Sequence, residues 1–218
     1  MHVAHSHEDY IPATGNPWTL ALYDPLNALL GVNRVRRAIV EAADLAAARR
    51  VLDVGCGTGT LAVMLKRAWP HVDVTGLDPD PGALGVATRK AARAGVTIRF
   101  DRGLAGALPY PDGAFDRVFS SFMFHHLRSD QKREMLREVH RVLAPGGRLE
   151  LVDFAGPDEQ PRLLRHLVHD HQLVRDNAAA DVLARLRDAD FADVRRHAQT
   201  SLLVGRVNHY RGTKKLES

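Results

Sequence analysis

A glycine-rich segment around residue 57 combines residue types and spacing that suit ligand binding. The apolar run RVLDV at 50–54 predicts a buried strand, and Gly55, Gly57 and Gly59 follow it before an amphipathic stretch begins. Glycines at such a turn let a ligand approach the backbone closely and leave the N–H groups of the next helix free to bind an anion. Asp78 comes 19 residues after Gly59, at the end of the next predicted strand, where a carboxylate can accept hydrogen bonds from ribose hydroxyls. This order predicts a nucleotide-like ligand, and a tight turn followed by a solvated aspartate is the alternative interpretation.

The details of the glycine segment favour a cationic ligand over a dinucleotide. A nicotinamide-binding segment has the pattern G-x-G-x-x-G/A, whereas here the third glycine comes one residue early. Asp53 also lies inside the predicted strand, two residues before the first glycine. A carboxylate at this place would stabilise an ammonium or sulfonium group and repel a pyrophosphate. The residues therefore predict a ribose-bearing cation as the ligand.

The apolar spacing on both sides of this segment predicts the elements that position it. The predicted strands cover 50–54, 72–78, 96–100, 115–120, 148–154, 191–197 and 200–207. The predicted helices cover 33–46, 61–68, 81–94, 129–143, 161–176 and 178–189. Strands that alternate with helices of this length form βαβ units, and the last two strands are too closely connected for a parallel crossover. We expect an α/β fold with a doubly wound, seven-stranded mixed sheet whose last strand is antiparallel.

Composition and charge exclude several classes of protein. The chain has 218 residues, 45% hydrophobic and 26% charged, which is the composition of a globular domain and not of a disordered chain. Its single cysteine cannot form an internal disulfide, no apolar run reaches the length of a membrane span, and the first residues lack a signal-peptide pattern. These features predict a cytoplasmic protein. The net charge of +4 is spread along the chain, so nucleic acid is an unlikely partner and a solvated surface is the simpler explanation.

Four segments together resemble the class I S-adenosylmethionine-dependent methyltransferases, in the ubiquinone/menaquinone-type small-molecule branch (methyltransferase domain 11-like). The matching segments read VLDVGCGTG at 51–59, GLDPD at 76–80, LPYPDGAFDRVFSSFMFHHL at 108–127 and LREVHRVLAPGGRLELVDF at 136–154. The resemblance implies a Rossmann-like fold with an N-terminal helical lid, and S-adenosylmethionine as cofactor with S-adenosylhomocysteine as product. It predicts an N-terminal arm and lid at 1–48, the methyltransferase domain at 49–210, and a disordered tail at 211–218.

The resemblance also implies a cofactor site at the carboxyl ends of the first four strands. Its predicted members are Asp53, Gly55, Cys56, Gly57, Gly59, Asp78, Pro79, Gly103, Leu104, Ala105 and Ser120. The glycines would cradle the methionine end, Asp53 would lie near its ammonium, and Asp78 would hold the ribose hydroxyls. Pro79 and the loop from Gly103 would adjoin the adenine. Many relatives have an acid where this chain has Leu104, so adenine recognition here is expected to use backbone atoms and packing.

Catalytic candidates follow the fourth and fifth predicted strands. His125 and His126 come directly after strand four, and a histidine near its usual pKa accepts a proton at neutral pH. The alternative is that one imidazole packs under the ligand or caps the turn. Asp153 ends strand five, where it would either orient substrate or cap the next loop. Cys56 is a weaker candidate for a nucleophile, since it is a routine member of the glycine motif.

Two histidine-rich segments share the spacing H-x-x-H-x-H. They contain His2, His5 and His7, and His166, His169 and His171. On a helix His171 points away from His166 and His169 and joins the apolar side, so we predict no metal site and interpret the segments as polar surface with one packed imidazole. A histidine-rich lid over the substrate pocket or a metal site is the alternative.

The sequence thus predicts methyl transfer to a small molecule, with the accepting O, N, S or C atom open. The segment after strand four lacks the Asn/Asp-Pro-Pro-aromatic motif of enzymes that methylate exocyclic amines of DNA. An RNA methyltransferase, an NAD-type oxidoreductase and a non-catalytic cofactor-binding regulator are the alternatives. Whether the protein is a monomer or a homodimer is not decided by the sequence.

Overall fold

A computed structural model describes residues 26, 29–162 and 176–216 of the chain. The elements in chain order are α1 (Val32–Ala42), β1 (Arg50–Val54), α2 (Thr60–Ala68), β2 (Asp73–Asp78), α3 (Pro81–Arg93), β3 (Arg99–Arg102), β4 (Phe115–Ser121), α4 (Ser129–Val142), β5 (Leu143–Phe154), α5 (Ala179–Asp188), β6 (Ala192–Leu202) and β7 (Gly205–Thr213). Short 3₁₀ turns at Phe124–His126 and Pro157–Glu159 follow β4 and β5.

The seven strands form one mixed sheet in the order β3-β2-β1-β4-β5-β7-β6. Neighbouring strands from β3 to β5 pair in parallel, whereas β7 is antiparallel to both β5 and β6. This confirms the predicted doubly wound α/β fold with an antiparallel last strand. The strand order reverses at β1 and β4, so the crevice at their carboxyl ends is the place where such folds bind ligands.

Two apolar layers cover the two faces of the sheet. Residues of α1 and α2 such as Val35, Ile39 and Leu65 are buried against one face. The opposite face is covered by α4 and α5, with Met135 and Val139 of α4 fully buried. Both layers come from the i, i+3, i+4 spacing of apolar residues that the sequence shows. Within the described residues, none of the helices is long and apolar enough to cross a bilayer.

Local chemistry explains where the helices next to the crevice begin. Asp80 is the N-cap of α3, and its Oδ1 accepts hydrogen bonds from the backbone N–H groups of Gly82 at 2.7 Å and Ala83 at 3.3 Å. Pro81 at the first position needs no such partner. Helix α1 ends at Ala42, short of the predicted 46, because Asp44 takes a left-handed conformation with φ of 47°.

Three boundaries near the edges of the sheet differ from the sequence prediction. Strand β3 is Arg99–Arg102 and not 96–100, because its pairing with β2 runs from Thr75 opposite Arg99 to Asp78 opposite Arg102. The β6–β7 turn lies near residues 203–204 and not 198–199, since Leu202 pairs with Gly205. Bulges in β6 shift its register and lengthen the hairpin.

The predicted disordered tail at 211–218 is also wrong for its first part. Residues up to Thr213 belong to β7, and the last three of them pair with residues 148–150 of β5. Lys214 continues this contact, because its backbone N–H donates to the Gly147 carbonyl at 2.9 Å and its ammonium donates to the Leu143 carbonyl at 2.8 Å. The polar composition of this segment hid a strand whose backbone groups are paired. Most of the predicted helix at 161–176, with His166, His169 and His171, lies outside the described residues, as does the N-terminal arm with His2, His5 and His7.

Candidate active site

The glycine loop between β1 and α2 is shaped by three left-handed residues. Gly55, Gly57 and Gly59 have φ angles of 70°, 52° and 73°. A Cβ on Gly55 would lie 2.3 Å from Met123 Cγ, and one on Gly59 would lie 2.8 Å from the Ala87 Cβ. A Cβ on Gly57 would meet no atom of the described residues within 4 Å. The loop is therefore packed against protein at its two ends and open in its middle, where a ligand can approach.

Asp78 lies beside this opening at the end of β2. Its Oδ2 accepts a hydrogen bond from the Gly57 N–H at 2.8 Å, and its Oδ1 accepts one from the Asp80 N–H at 3.0 Å. Burial raises the pKa of Asp78, while these two N–H groups act in the opposite direction. The Asp78 carboxylate thus stabilises the glycine loop and keeps lone pairs available for hydroxyl donors.

Asp53 is a buried carboxylate that has no hydrogen-bonded partner in the described part of the chain. Its side chain on β1 is 1% exposed, and neither oxygen has a hydrogen bond of normal geometry to a described residue. Burial raises its pKa to about 7, against the attraction of Arg36 on α1, and Asp78 adds to the rise. The Ala62 N–H has the smallest influence on this pKa, in keeping with its lying outside hydrogen-bonding geometry. A buried acceptor left in this state is satisfied when a ligand brings a cation to it.

The loop after β3 adjoins Asp78 from the other side. The Gly103 N–H donates to the Asp78 carbonyl at 3.3 Å, and Leu104 forms an antiparallel bridge with Ala107. The Leu104 side chain is 45% exposed. Pro79, next to Asp78, and Ala105, next to Leu104, are thereby brought to the same edge. The nearest acid on β3, Asp101, already accepts hydrogen bonds from Tyr110 and Arg99, and so does not replace an acid at position 104.

Cys56 and Ser120 are both buried next to the crevice. Burial raises the pKa of Cys56 well above its ordinary value, and Asp53 and Asp78 add to the rise. The thiol is therefore kept protonated, which argues against the nucleophile that the sequence left open. Ser120 Oγ on β4 has no hydrogen-bond partner among the described residues, and so remains a second polar atom for a ligand to satisfy.

His125 and Asp153 form a dyad across the ends of β4 and β5. The distance between His125 Nδ1 and Asp153 Oδ1 is 2.6 Å, and the His125 backbone N–H donates to Asp153 Oδ2 at 3.0 Å. Burial would raise the pKa of Asp153, but the His125 charge and hydrogen bonds from His125 and Phe154 outweigh it and lower that pKa. An ionised Asp153 needs the proton on Nδ1, which leaves Nε2 of His125 as a proton acceptor.

His126 occupies a different position on the same turn. The centroids of the His126 and His125 rings lie 4.0 Å apart. The carboxylate of Asp153 forms its contact with the ring of His125. Of the sequence-predicted catalytic residues, the structure therefore brings His125 and Asp153 together and places His126 alongside them.

Sequence reasoning missed Lys132, Asn177 and Arg36. Lys132 is fully buried on α4, and its ammonium donates to Asn177 Oδ1 at 2.9 Å. A signal for Lys132 was present, because it precedes Met135 and Leu136 by three and four residues and so lies on the apolar face of the helix. Arg36 likewise belongs to the buried face of α1 with Val35 and Ile39, and its guanidinium carbon lies 5.8 Å from the centre of the Phe122 ring. Asn177 has no such pattern around it.

Comparison with known proteins finds similarity to methyltransferases. Residues 51–147 match the family described as methyltransferase domain. The chain is 46% identical over 138 residues to a demethylmenaquinone methyltransferase of Thermus thermophilus, covering 62% of each chain. It is 44% identical over 138 residues to the demethylmenaquinone methyltransferase of Deinococcus radiodurans, covering 62% of this chain and 56% of the relative. The matches thus span about three fifths of the length of these relatives.

Solved structures are similar in fold to this chain. The S-adenosylmethionine-dependent methyltransferase SibL in its apo form has a TM-score of 0.72 at 28% identity, covering 94% of this chain and 64% of that one. The YcgJ protein from Bacillus subtilis has a TM-score of 0.68 at 24% identity, covering 85% of this chain and 100% of that one, and so supports the fold alone.

Proposed function

We propose that the chain is a class I S-adenosylmethionine-dependent methyltransferase and that it transfers a methyl group from S-adenosylmethionine to a small acceptor of the quinone class. The observation that carries the proposal is the buried Asp53 carboxylate, which has no hydrogen-bonded partner among the residues that the structure describes, beside a glycine loop that is open at Gly57. These two features suit the ammonium and the close backbone approach of an amino-acid ligand. Asp78 suits its ribose.

The donor half of the site follows from these residues. Asp53 would hold the ammonium, the glycine loop the methionine chain, and Asp78 the two ribose hydroxyls. The edge formed by Pro79 and the loop from Gly103 would adjoin the adenine. When bound, S-adenosylmethionine supplies a methyl group on a sulfonium sulfur, so that the new bond to the acceptor forms as the carbon–sulfur bond breaks.

The acceptor half is the place of the His125–Asp153 dyad. A hydroxyl on the reduced form of a quinone ring becomes a stronger nucleophile, at oxygen and at the adjacent carbon, when it loses its proton. His125 Nε2 would accept this proton, while Asp153 holds the ring in the required tautomer and stabilises the imidazolium that forms. His125 is 16% exposed at its side chain, so its free nitrogen remains within reach of a bound acceptor.

The names of the relatives support the quinone class. The two bacterial proteins that are 46% and 44% identical are both named for demethylmenaquinone. The family match at 51–147 contains the residues of the donor half and His125 but not Asp153, and about two fifths of each relative is not covered. The quinone acceptor therefore stays a proposal for this chain. The cytoplasmic location and the monomeric or homodimeric state stay predictions of the sequence.

The test is a binding measurement followed by a product measurement. We expect calorimetry to show binding of S-adenosylmethionine and S-adenosylhomocysteine and no binding of NAD. With the donor, a chemical reductant and a short-chain demethylated naphthoquinone, mass spectrometry should show one added methyl group. A control with bulk RNA as acceptor should show no label transfer from a radioactive methyl donor. Binding of the donor without methylation of any quinol would refute the acceptor class, and absence of donor binding would refute the proposal as a whole.

A further inference from the structure

Lys132 lies outside the donor site and is fully buried, which is unusual for a lysine. It is on the sheet-facing side of α4. Its ammonium donates to Asn177 Oδ1 at 2.9 Å and lies 5.3 Å from the centre of the Phe124 ring. Removing an ammonium from water costs several kcal/mol, and a well-packed apolar residue at such a place is often equally stable. Stability alone therefore gives no reason for a lysine here.

The contacts of Lys132 lead to the dyad by two routes. Asn177 donates from Nδ2 to the Phe154 carbonyl at 3.2 Å, and the Phe154 N–H donates to Asp153 Oδ1 at 2.7 Å. That oxygen is the one that lies 2.6 Å from His125 Nδ1. On the second route the ammonium lies against Phe124, the residue that begins the 3₁₀ turn carrying His125.

The charged groups around the pair come from three elements. Burial lowers the pKa of Lys132 to about 8, while Asp176 before α5 and Asp153 on β5 raise it, and Arg185 on α5 lowers it. Arg185 is itself 3.6 Å from Asp176 and donates to Ser129 at the start of α4. The ammonium thus interacts with Asp153 at the end of β5 and with Phe124 in the turn after β4.

We propose that Lys132 and Asn177 are a positioning pair that holds the end of β5 and the turn after β4 in the arrangement that joins His125 to Asp153. The pair acts through the Phe154 backbone and the Phe124 ring and touches neither donor nor acceptor. This inference rests on the proposed function for its effect on turnover, but its effect on the dyad is measurable without any substrate.

The first measurement is a spectroscopic signature of the dyad. Proton NMR of the protein with labelled histidine should show a strongly downfield Nδ1–H resonance from His125, identified by its loss in His125→Ala. We expect Lys132→Met and Asn177→Leu, which keep the side-chain volume roughly constant, to remove or broaden this resonance. Lys132→Arg should retain it.

Lys66 supplies the matched control. It is also a helical lysine, and its ammonium donates to the carbonyls of Pro70 and Val72, away from the dyad. Lys66→Met should leave the His125 resonance unchanged, even if it lowers the melting temperature.

The second measurement separates positioning from donor binding. Once an acceptor that the enzyme methylates is known, Lys132→Met should lower kcat by about 10- to 100-fold, a smaller loss than removal of the general base itself would cause. The donor Kd should change less than about twofold. Lys132→Arg should recover most of the rate.

The outcomes separate this inference from the proposed function. A His125 resonance that persists in folded Lys132→Met and Asn177→Leu would overturn the positioning role, whatever the enzyme methylates. Loss of the resonance in a protein that methylates nothing would uphold the pair and refute the proposed function. Failure of both variants to fold would assign the pair to stability and overturn the inference as well.

Discussion

Replacing Asp53 with asparagine is expected to stabilise the ligand-free protein at alkaline pH while it removes donor binding. The side chain is buried, and its carboxylate has no hydrogen-bonded partner among the described residues, so burial raises its pKa from 3.8 to about 7. Between these two values the folded protein keeps a proton that the unfolded chain releases. The free energy of unfolding therefore decreases as the pH rises through this range, and it levels off above about pH 7.

The size of this effect follows from the two pKa values. With 3.8 in the unfolded chain and about 7 in the folded protein, the contribution of Asp53 to stability falls by about 2.5 kcal/mol between pH 5 and pH 8. Asparagine does not titrate, so Asp53→Asn should lack this fall. The cost of burying the amide is the same at both pH values and cancels when each protein is compared with itself.

Urea denaturation followed by circular dichroism measures this difference. The wild type and Asp53→Asn are unfolded at pH 5 and at pH 8 without ligand, and the change in unfolding free energy between the two pH values is compared. Asp73→Asn is the matched control, because Asp73 is an exposed aspartate on the neighbouring strand β2. If the unfolding free energy changes equally in the wild type and in Asp53→Asn between pH 5 and pH 8, burial does not raise the pKa of Asp53, and the reasoning is wrong.

The same proton links pH to donor binding. An ammonium favours the ionised carboxylate, so binding must release the proton wherever the free protein holds it. The donor affinity of the wild type should therefore fall by up to about tenfold per pH unit below about pH 7. Calorimetry at several pH values checks this, and a pH-independent affinity would show that Asp53 does not face the ammonium.

Three further predictions concern the rest of the site. Asp78→Ala should weaken donor binding by about 1.5–3 kcal/mol in calorimetry, because the ribose and the Gly57 N–H both lose an acceptor, and an unchanged affinity in a folded variant would remove Asp78 from the site. Leu104→Asp should keep or improve donor affinity, since the exposed position can then offer an acid to the adenine, and a large loss would show that Leu104 packs against something specific. His125→Ala should slow turnover by about 100-fold or more with little change in donor affinity. His126→Ala should slow turnover less, because Asp153 pairs with His125. A larger loss of turnover in His126→Ala than in His125→Ala would refute His125 as the base.

The sequence predicted those parts of the site that are contiguous in the chain. The glycine loop and Asp78 lie on consecutive βαβ elements, so their spacing alone places them at one edge of the sheet. His125 and Asp153 were each candidates, but their pairing depends on the register of β4 and β5, in which Ser121 lies opposite Val152. That register is set by packing along both strands and cannot be obtained from either segment alone.

Two other features could not be predicted, because their local sequence patterns are typical of more common structures. A lysine on a helix is usually solvated, so the sequence did not predict a buried Lys132, although it lies on the same helix face as Met135 and Val139. The segment after Tyr210 is polar and basic, yet its backbone pairs with β5 through Thr213. In both cases the contact that decides the structure comes from a distant part of the chain.

The packing of Gly55 against Met123 joins the two halves of the site into one steric unit. The space that a larger residue at position 55 would need is filled by the Met123 side chain, which precedes the turn with His125 by one residue. Substitution at either position therefore displaces the donor loop and the proton acceptor together. Since Gly55 also has a φ of 70°, which disfavours any side chain, position 55 is expected to stay glycine among homologous chains and position 123 to keep a residue that fills the space beside it. Differences in acceptor preference are then expected to arise in segments other than this contact.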